Sequence, residues 1–177
     1  ALRRQGGPRC PVRLKRLSLD IILRYGDALA DLFCEYPDDV IPVIPYEWSI
    51  GYQSPDRKDR INTVEAMMKD ARWTDEWGIV WGHAAGGVGA SPIGHPISDW
   101  SQLDDYLAGG IPNPREPGRL DVAEQALKIH SGSKYCYGVI VLSLFERLHC
   151  LRGMENLFAD FYTNEAEVRR LLDALKD

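Results

Sequence analysis

Long apolar runs, paired cysteines and clustered histidines are all missing from this sequence, and each absence closes off a class of protein. The longest apolar stretch, Tyr137 to Phe145, is about nine residues, far below the roughly 20 that span a bilayer, so no membrane-crossing helix is predicted. Arg3, Arg4, Arg9, Arg13, Lys15 and Arg16 open the chain without an intervening acid, but the apolar segment of a secretory signal does not follow them. The four cysteines, Cys10, Cys34, Cys136 and Cys150, lie far apart with no C-x-x-C pair, which predicts reduced thiols in a cytoplasmic protein and not a disulfide scaffold. The four histidines, His83, His95, His130 and His149, form neither H-x-x-x-H nor H-E-x-x-H, so the chain shows no complete metal site. Net charge is −5, and setting the basic opening aside leaves about −11 on the rest, which argues against a nucleic-acid partner.

What is present is globular composition, 45% hydrophobic and 27% charged, enough to build a sizeable core. Residues 1–17 read as a basic tail and 18–177 as one domain. Leu19, Ile22, Leu23, Gly26, Leu29, Ala30 and Phe33 recur at helical spacing after a capping Ser18, predicting a helix to about Glu35 that Pro37 closes. Val40-Ile41-Pro42-Val43-Ile44 reads as a buried strand leading to an aromatic loop, Tyr46 to Tyr52, and a short helix around Thr63 to Asp70. Trp73 to Trp81 has the alternation of a strand, and the segment Gly82 to Gly94, with five glycines including its two ends, demands a loop or hairpin.

Further on, Trp100, Leu103, Tyr106 and Leu107 mark a short helix capped by Ser98 or Asp99, and another helix is expected from Asp121 to His130. Tyr137 to Leu142 reads as the clearest buried strand. Met154, Leu157, Phe158 and Phe161 form a core stripe, and Asn164 with Glu167 suggests a capping box for a last helix carrying Val168, Leu171, Leu172 and Leu175. Strands interleaved with helices imply an α/β architecture with a parallel sheet. Because an eight-stranded barrel takes roughly 200 to over 400 residues, three to four βα units here predict a partial (β/α)8 barrel, truncated at the C-terminal end at least.

Three strings carry a family resemblance: Trp73-Thr74-Asp75-Glu76-Trp77-Gly78; Gly94-His95-Pro96-Ile97 with Trp100-Ser101-Gln102-Leu103 and Pro112-Asn113-Pro114; and Leu144-Phe145-Glu146-Arg147-Leu148-His149-Cys150-Leu151-Arg152-Gly153-Met154-Glu155. In this order and spacing, over about residues 18–177, they resemble the uroporphyrinogen decarboxylase superfamily. The similarity is strongest to members nearer the corrinoid-dependent methyltransferases than the enzyme of haem biosynthesis. The resemblance implies the N-terminal part of a (β/α) barrel with its pocket at the C-terminal ends of the strands. Asp75 then matches the family aspartate that faces the substrate's pyrrole nitrogens and stabilises positive charge on the ring. The competing reading makes Asp75 a turn cap or the partner of a surface arginine.

True decarboxylases follow the first barrel strand with an arginine-bearing loop that holds substrate carboxylates. Glu47 and Gly51 occupy those two positions here, which disfavours uroporphyrinogen III as substrate. Glu47, Trp48, Tyr52, Trp77, Glu146, Arg147 and Cys150 are the candidate substrate contacts, with Cys150 standing near the family's substrate tyrosine. Glu146 and Arg147 equally suit a salt bridge that fixes the turn into their helix, and the aromatics equally suit rim packing. His149 and Cys150 are adjacent, so their side chains diverge by about 100° on a helix and joint metal ligation is awkward. Methyltransferase relatives hold zinc in the second half of the barrel, so zinc and a corrinoid partner belong to the full-length protein and no cofactor to this piece. The expectation is therefore an enzyme handling a small methylated substrate with a corrinoid protein. The alternatives are uroporphyrinogen decarboxylation and a non-catalytic fragment or binding module.

Overall fold

A computed structural model describes residues 10–13, 19–43, 72–83, 90–138 and 142–176. The expected Ser18 cap, the aromatic loop 46–52, the helix at 63–70 and residues 139–141 of the expected last strand lie outside them. In chain order the elements are α1 (Leu19–Glu35), β1 (Val40–Pro42), β2 (Trp73–Thr74), β3 (Val80–His83), β4 (Ala90–Gly94), α2 (Leu103–Gly109), α3 (Asp121–His130), β5 (Tyr135–Tyr137), α4 (Leu144–Arg152), α5 (Met154–Thr163) and α6 (Glu165–Lys176). The class is mixed α/β, with six helices and two small sheets, and no closed barrel forms among the described residues.

The chain divides into two compact units, one of Ala1–Ile44 with Asp121–Val139 and one of Pro45–Leu120 with Ile140–Asp177. In the first unit, α1 breaks at Gly26, whose φ of 39° and ψ of −114° interrupt the predicted stripe. β1 and β5 pair in parallel, Val40 opposite Tyr135 and Pro42 opposite Tyr137. Hydrogen bonds extend the ladder at both ends, from the Tyr135 amide to the Asp39 carbonyl (2.8 Å) and from the Val43 amide to the Tyr137 carbonyl (2.9 Å). Asp39 also clasps the chain upstream: its Oδ2 accepts from the Val12 amide (2.9 Å) and its own amide donates to the Val12 carbonyl (2.9 Å). The helix α3 falls where the sequence places it, with Asp121 and Glu124 in its first turn and Lys128 and His130 in its last, each sign facing the end of the helix dipole that favours it.

The second unit departs from the expected parallel sheet. β2, β3 and β4 form an antiparallel meander, Trp73 opposite Trp81 and His83 opposite Ala90. The stretch read as one strand, Trp73 to Trp81, is two short strands joined by a turn at residues 75–79. Of the glycine-rich segment, residues 84–89 lie outside the described residues, the strands on either side of them, β3 and β4, pair antiparallel, and Pro92 is tolerated in β4 because that strand is the sheet's edge in the order β2-β3-β4. The core lies beneath this sheet. Ile79, Ile97, Leu103, Leu151, Leu157 and Leu171 are all under 2% exposed, and full burial of each aliphatic side chain contributes about 1.5–3 kcal/mol.

Helices α4, α5 and α6 close the unit, and α6 buries Val168 and Leu171 as its spacing predicts. The expected stripe on α5 is only partly internal: Leu157 is buried, while Met154, Phe158 and Phe161 are exposed. Asn164 does not serve the predicted capping box through its side chain, which donates back to Asp160 Oδ1 at 2.7 Å. Asp99 does cap, accepting from the Ser101 amide (2.9 Å) at the start of the 3-10 turn Trp100–Gln102 that leads into α2. Gln102 Oε1 completes the box by accepting from the Asp99 amide (2.9 Å).

Candidate functional site

The turn between β2 and β3 is organised by one side chain. Asp75 is buried, and its Oδ1 accepts from the backbone amides of Trp77 and Ile79, both at 2.9 Å. Its Oδ2 accepts from the indole N–H of Trp81 at 2.8 Å. The Asp75 amide donates to the Ile79 carbonyl (3.0 Å), and the Gly78 amide returns to the Asp75 carbonyl (3.1 Å). Gly78 stands at φ 76°, the left-handed conformation that closes such a turn without a Cβ penalty. Burial raises the Asp75 pKa, and the hydrogen bonds from Trp81 and Ile79, together with the positive field of Arg147, offset only part of that rise. The carboxylate thus pegs the turn, the competing role considered for it from sequence.

Helix α4 supplies the other side of the site. Glu146 faces the start of its own helix, where Oε2 accepts from the Ser143 amide (3.0 Å) and from the Ser143 hydroxyl. It caps α4 and forms no ion pair among the described residues. Arg147, one residue on, lays its guanidinium carbon 4.1 Å from the centre of the Trp77 ring, a cation-π stack. Burial lowers the Arg147 pKa, and the nearby Asp75, Cys150, Tyr106 and Glu76 act in the opposite sense. A guanidinium keeps its proton at neutral pH all the same. Cys150, one turn further along α4, is 1% exposed, and burial pushes its thiol up to about 11, so it is neutral and a poor nucleophile.

Of the residues singled out in the sequence, Asp75, Trp77, Arg147 and Cys150 come together, Glu146 is near in sequence but turned to its cap, and Glu47, Trp48 and Tyr52 lie outside the described residues. Two participants were missed. The Tyr106 hydroxyl donates to the Trp77 carbonyl at 3.1 Å and fixes the platform from α2, and burial pushes its pKa up. Arg119 grips Glu76 with two hydrogen bonds, 3.1 and 2.6 Å, on the outer side of the same turn. An aromatic in a helical stripe and an arginine in a loop carry no sequence signal that separates these roles from packing and solvation.

Among the described residues no three His, Cys, Asp or Glu side chains converge as metal ligands. Cys150 is held as a thiol, and the His149 ring packs on Phe145 with centroids 5.9 Å apart, so this pair does not fit zinc. Among the described residues no helix is long and apolar enough to cross a membrane. No family model, curated protein or solved structure matches the chain.

Proposed function

We propose that the chain is part of an enzyme of the uroporphyrinogen decarboxylase superfamily, of the branch that transfers methyl groups with a corrinoid partner. One observation carries the reading: two of the strings that suggested the family, 70 or so positions apart, meet in space where Arg147 of the third stacks on Trp77 of the first. Support comes also from the parallel pairing of β1 with β5 directly after α3, which suits a βα unit. The positions that would hold the arginines of a carboxylate-gripping loop carry Glu47 and Gly51, so a substrate with eight carboxylates is the poorer fit.

In this reading Asp75 keeps the Trp77 ring in place, Tyr106 holds the backbone behind it, and Arg147 orients the substrate from the start of α4. Zinc would be bound by residues other than those described, since the His149 and Cys150 pair does not suit it, and these residues bind and orient substrate without it. The test is methyl transfer from methylcobalamin to a thiol by the complete enzyme. Zinc-dependent turnover is expected. A zinc-free protein without turnover, or rescue of a haem-deficient strain by the gene, overturns the methyl-transfer reading.

A further inference from the structure

Five residues apart on α4, two arginines stack on tryptophans, and only one of them has found hydrogen-bond partners. Arg152 donates from Nε to Asp160 Oδ2 (2.6 Å) and from Nη1 to the carbonyls of Ile97 (3.3 Å) and Ser98. Arg147 makes no side-chain hydrogen bond or ion pair with any described residue, and its Nη1 is cut off from solvent. A guanidinium carries five N–H donors and no acceptor, so only an acceptor, and best an anion, satisfies it.

None of the acids and hydroxyls around Arg147 accepts a hydrogen bond from it. The Asp75 oxygens take up Trp77, Ile79 and Trp81, and Glu76 is gripped by Arg119. The Tyr106 proton goes to the Trp77 carbonyl, and the Cys150 thiol, pushed up to about 11, supplies no thiolate. Arg147 itself is half-buried, so a ligand approaches from its exposed edge, while the Trp77 face holds the plane of the fork still.

We propose that Arg147, stacked on Trp77, is the anchor of an oxyanion subsite that takes a carboxylate or phosphate group of a small ligand in the plane of its guanidinium. The subsite deepens the reading of this region as a substrate site and does not depend on methyl transfer. A planar fork matches a planar carboxylate through two parallel N–H bonds, and matches two phosphate oxygens equally.

The test is titration of the isotope-labelled 177-residue chain with succinate, inorganic phosphate and, at matched ionic strength, chloride, following the indole N–H resonance of Trp77 and the Nε–H of Arg147 by NMR. Saturable shifts with succinate or phosphate and none with chloride are expected, and which probe acts names the group. R147M should weaken the response at least about tenfold, and R147K, which keeps the charge without the fork, should weaken it as well. Retained dispersion of the Trp73 and Trp81 indole signals shows that the variants are folded, and R147K serves should R147M fail to fold. Shifts equal in chloride, shifts unchanged in the folded variants, or no shift at all overturn the subsite. Saturable binding by a protein that moves no methyl group removes only the reaction, and methyl transfer without an anion response removes only the subsite.

Discussion

The two arginines of α4 differ in what surrounds them and not in how they are held. Each lies over an indole, Arg147 over Trp77 at 4.1 Å and Arg152 over Trp100 at 4.9 Å. Arg152 has a buried carboxylate and two carbonyls, and it ties α4 to α5 and to the segment after β4. Arg147 has the ring and the field of Asp75 but no acceptor. Stacking on an indole therefore accompanies a structural tie at one end of a helix and an unpartnered donor set at the other, and compensation separates them.

The largest effect is expected from breaking the compensated end. Asp160→Ala leaves the Arg152 charge buried and unpaired and should cost about 3–5 kcal/mol in urea unfolding. Burial raises the Asp160 pKa, but the hydrogen bonds from Arg152 and Asn164, with the Trp100 indole nearby, outweigh it, and the net shift is downward from 3.8. Its contribution is then present above the unfolded pKa and is lost as pH falls through the folded value. The acid limb of the stability profile should flatten in Asp160→Asn.

Asp75→Asn should cost less, on the order of 1–3 kcal/mol, because Oδ1 can still accept from two amides while the new NH2 faces the Trp81 indole donor. Its pH signature is opposite. The folded pKa lies above 3.8, so the folded state holds the proton more tightly and stability drops as pH rises from there through the folded value. Comparing urea midpoints of wild type and Asp75→Asn from acid to neutral pH should show that drop only in the wild type. The smallest effect belongs to the uncompensated end: Arg147→Met loses a stacking contact but also a desolvated charge, and should stay within about 1 kcal/mol of wild type without ligand. A loss as large as that of Asp160→Ala would erase the contrast between the two arginines.

Much of the helical framework was legible because it rests on local spacing. Asp121 to His130 and the Val168, Leu171 stripe follow from period alone, and Asp99 with Gln102 is a cap readable from two residues. The strands were less so. Trp73 to Trp81 alternates well enough to pass as one strand, yet Asp75 three residues before Gly78 is turn chemistry that outranks the alternation. Among the described residues the last strand pairs over Tyr135–Tyr137, in a register set by β1 and by Asp39, and residues 139–141 of the expected run lie outside them. The three exposed members of the α5 stripe show periodicity marking a face without saying what meets it.

The site was half legible. Asp75, Trp77, Arg147 and Cys150 stand out as residue types near strand or helix ends, and the structure brings them together. Which arginine would be paired was not readable, since Asp160 lies eight residues beyond Arg152 on another helix and nothing local links them. Tyr106 and Arg119 reach the site across 29 and 43 residues of chain, distances over which sequence pattern carries no directional information.

Between those two helices stands one residue. The Gly153 amide donates to the His149 carbonyl (2.8 Å) to finish α4, and its own carbonyl accepts from the Leu157 amide (2.9 Å) to begin α5. Its φ is 88°, and a Cβ there would come 3.2 Å from the His95 ring. With no linker to absorb a change in length, inserting or deleting one residue in the first turn of α5 would rotate everything after it by about 100°. Leu157 would swing off the core and Asp160 away from Arg152, so this corner is a place where the chain's residue count, more than its chemistry, is under constraint.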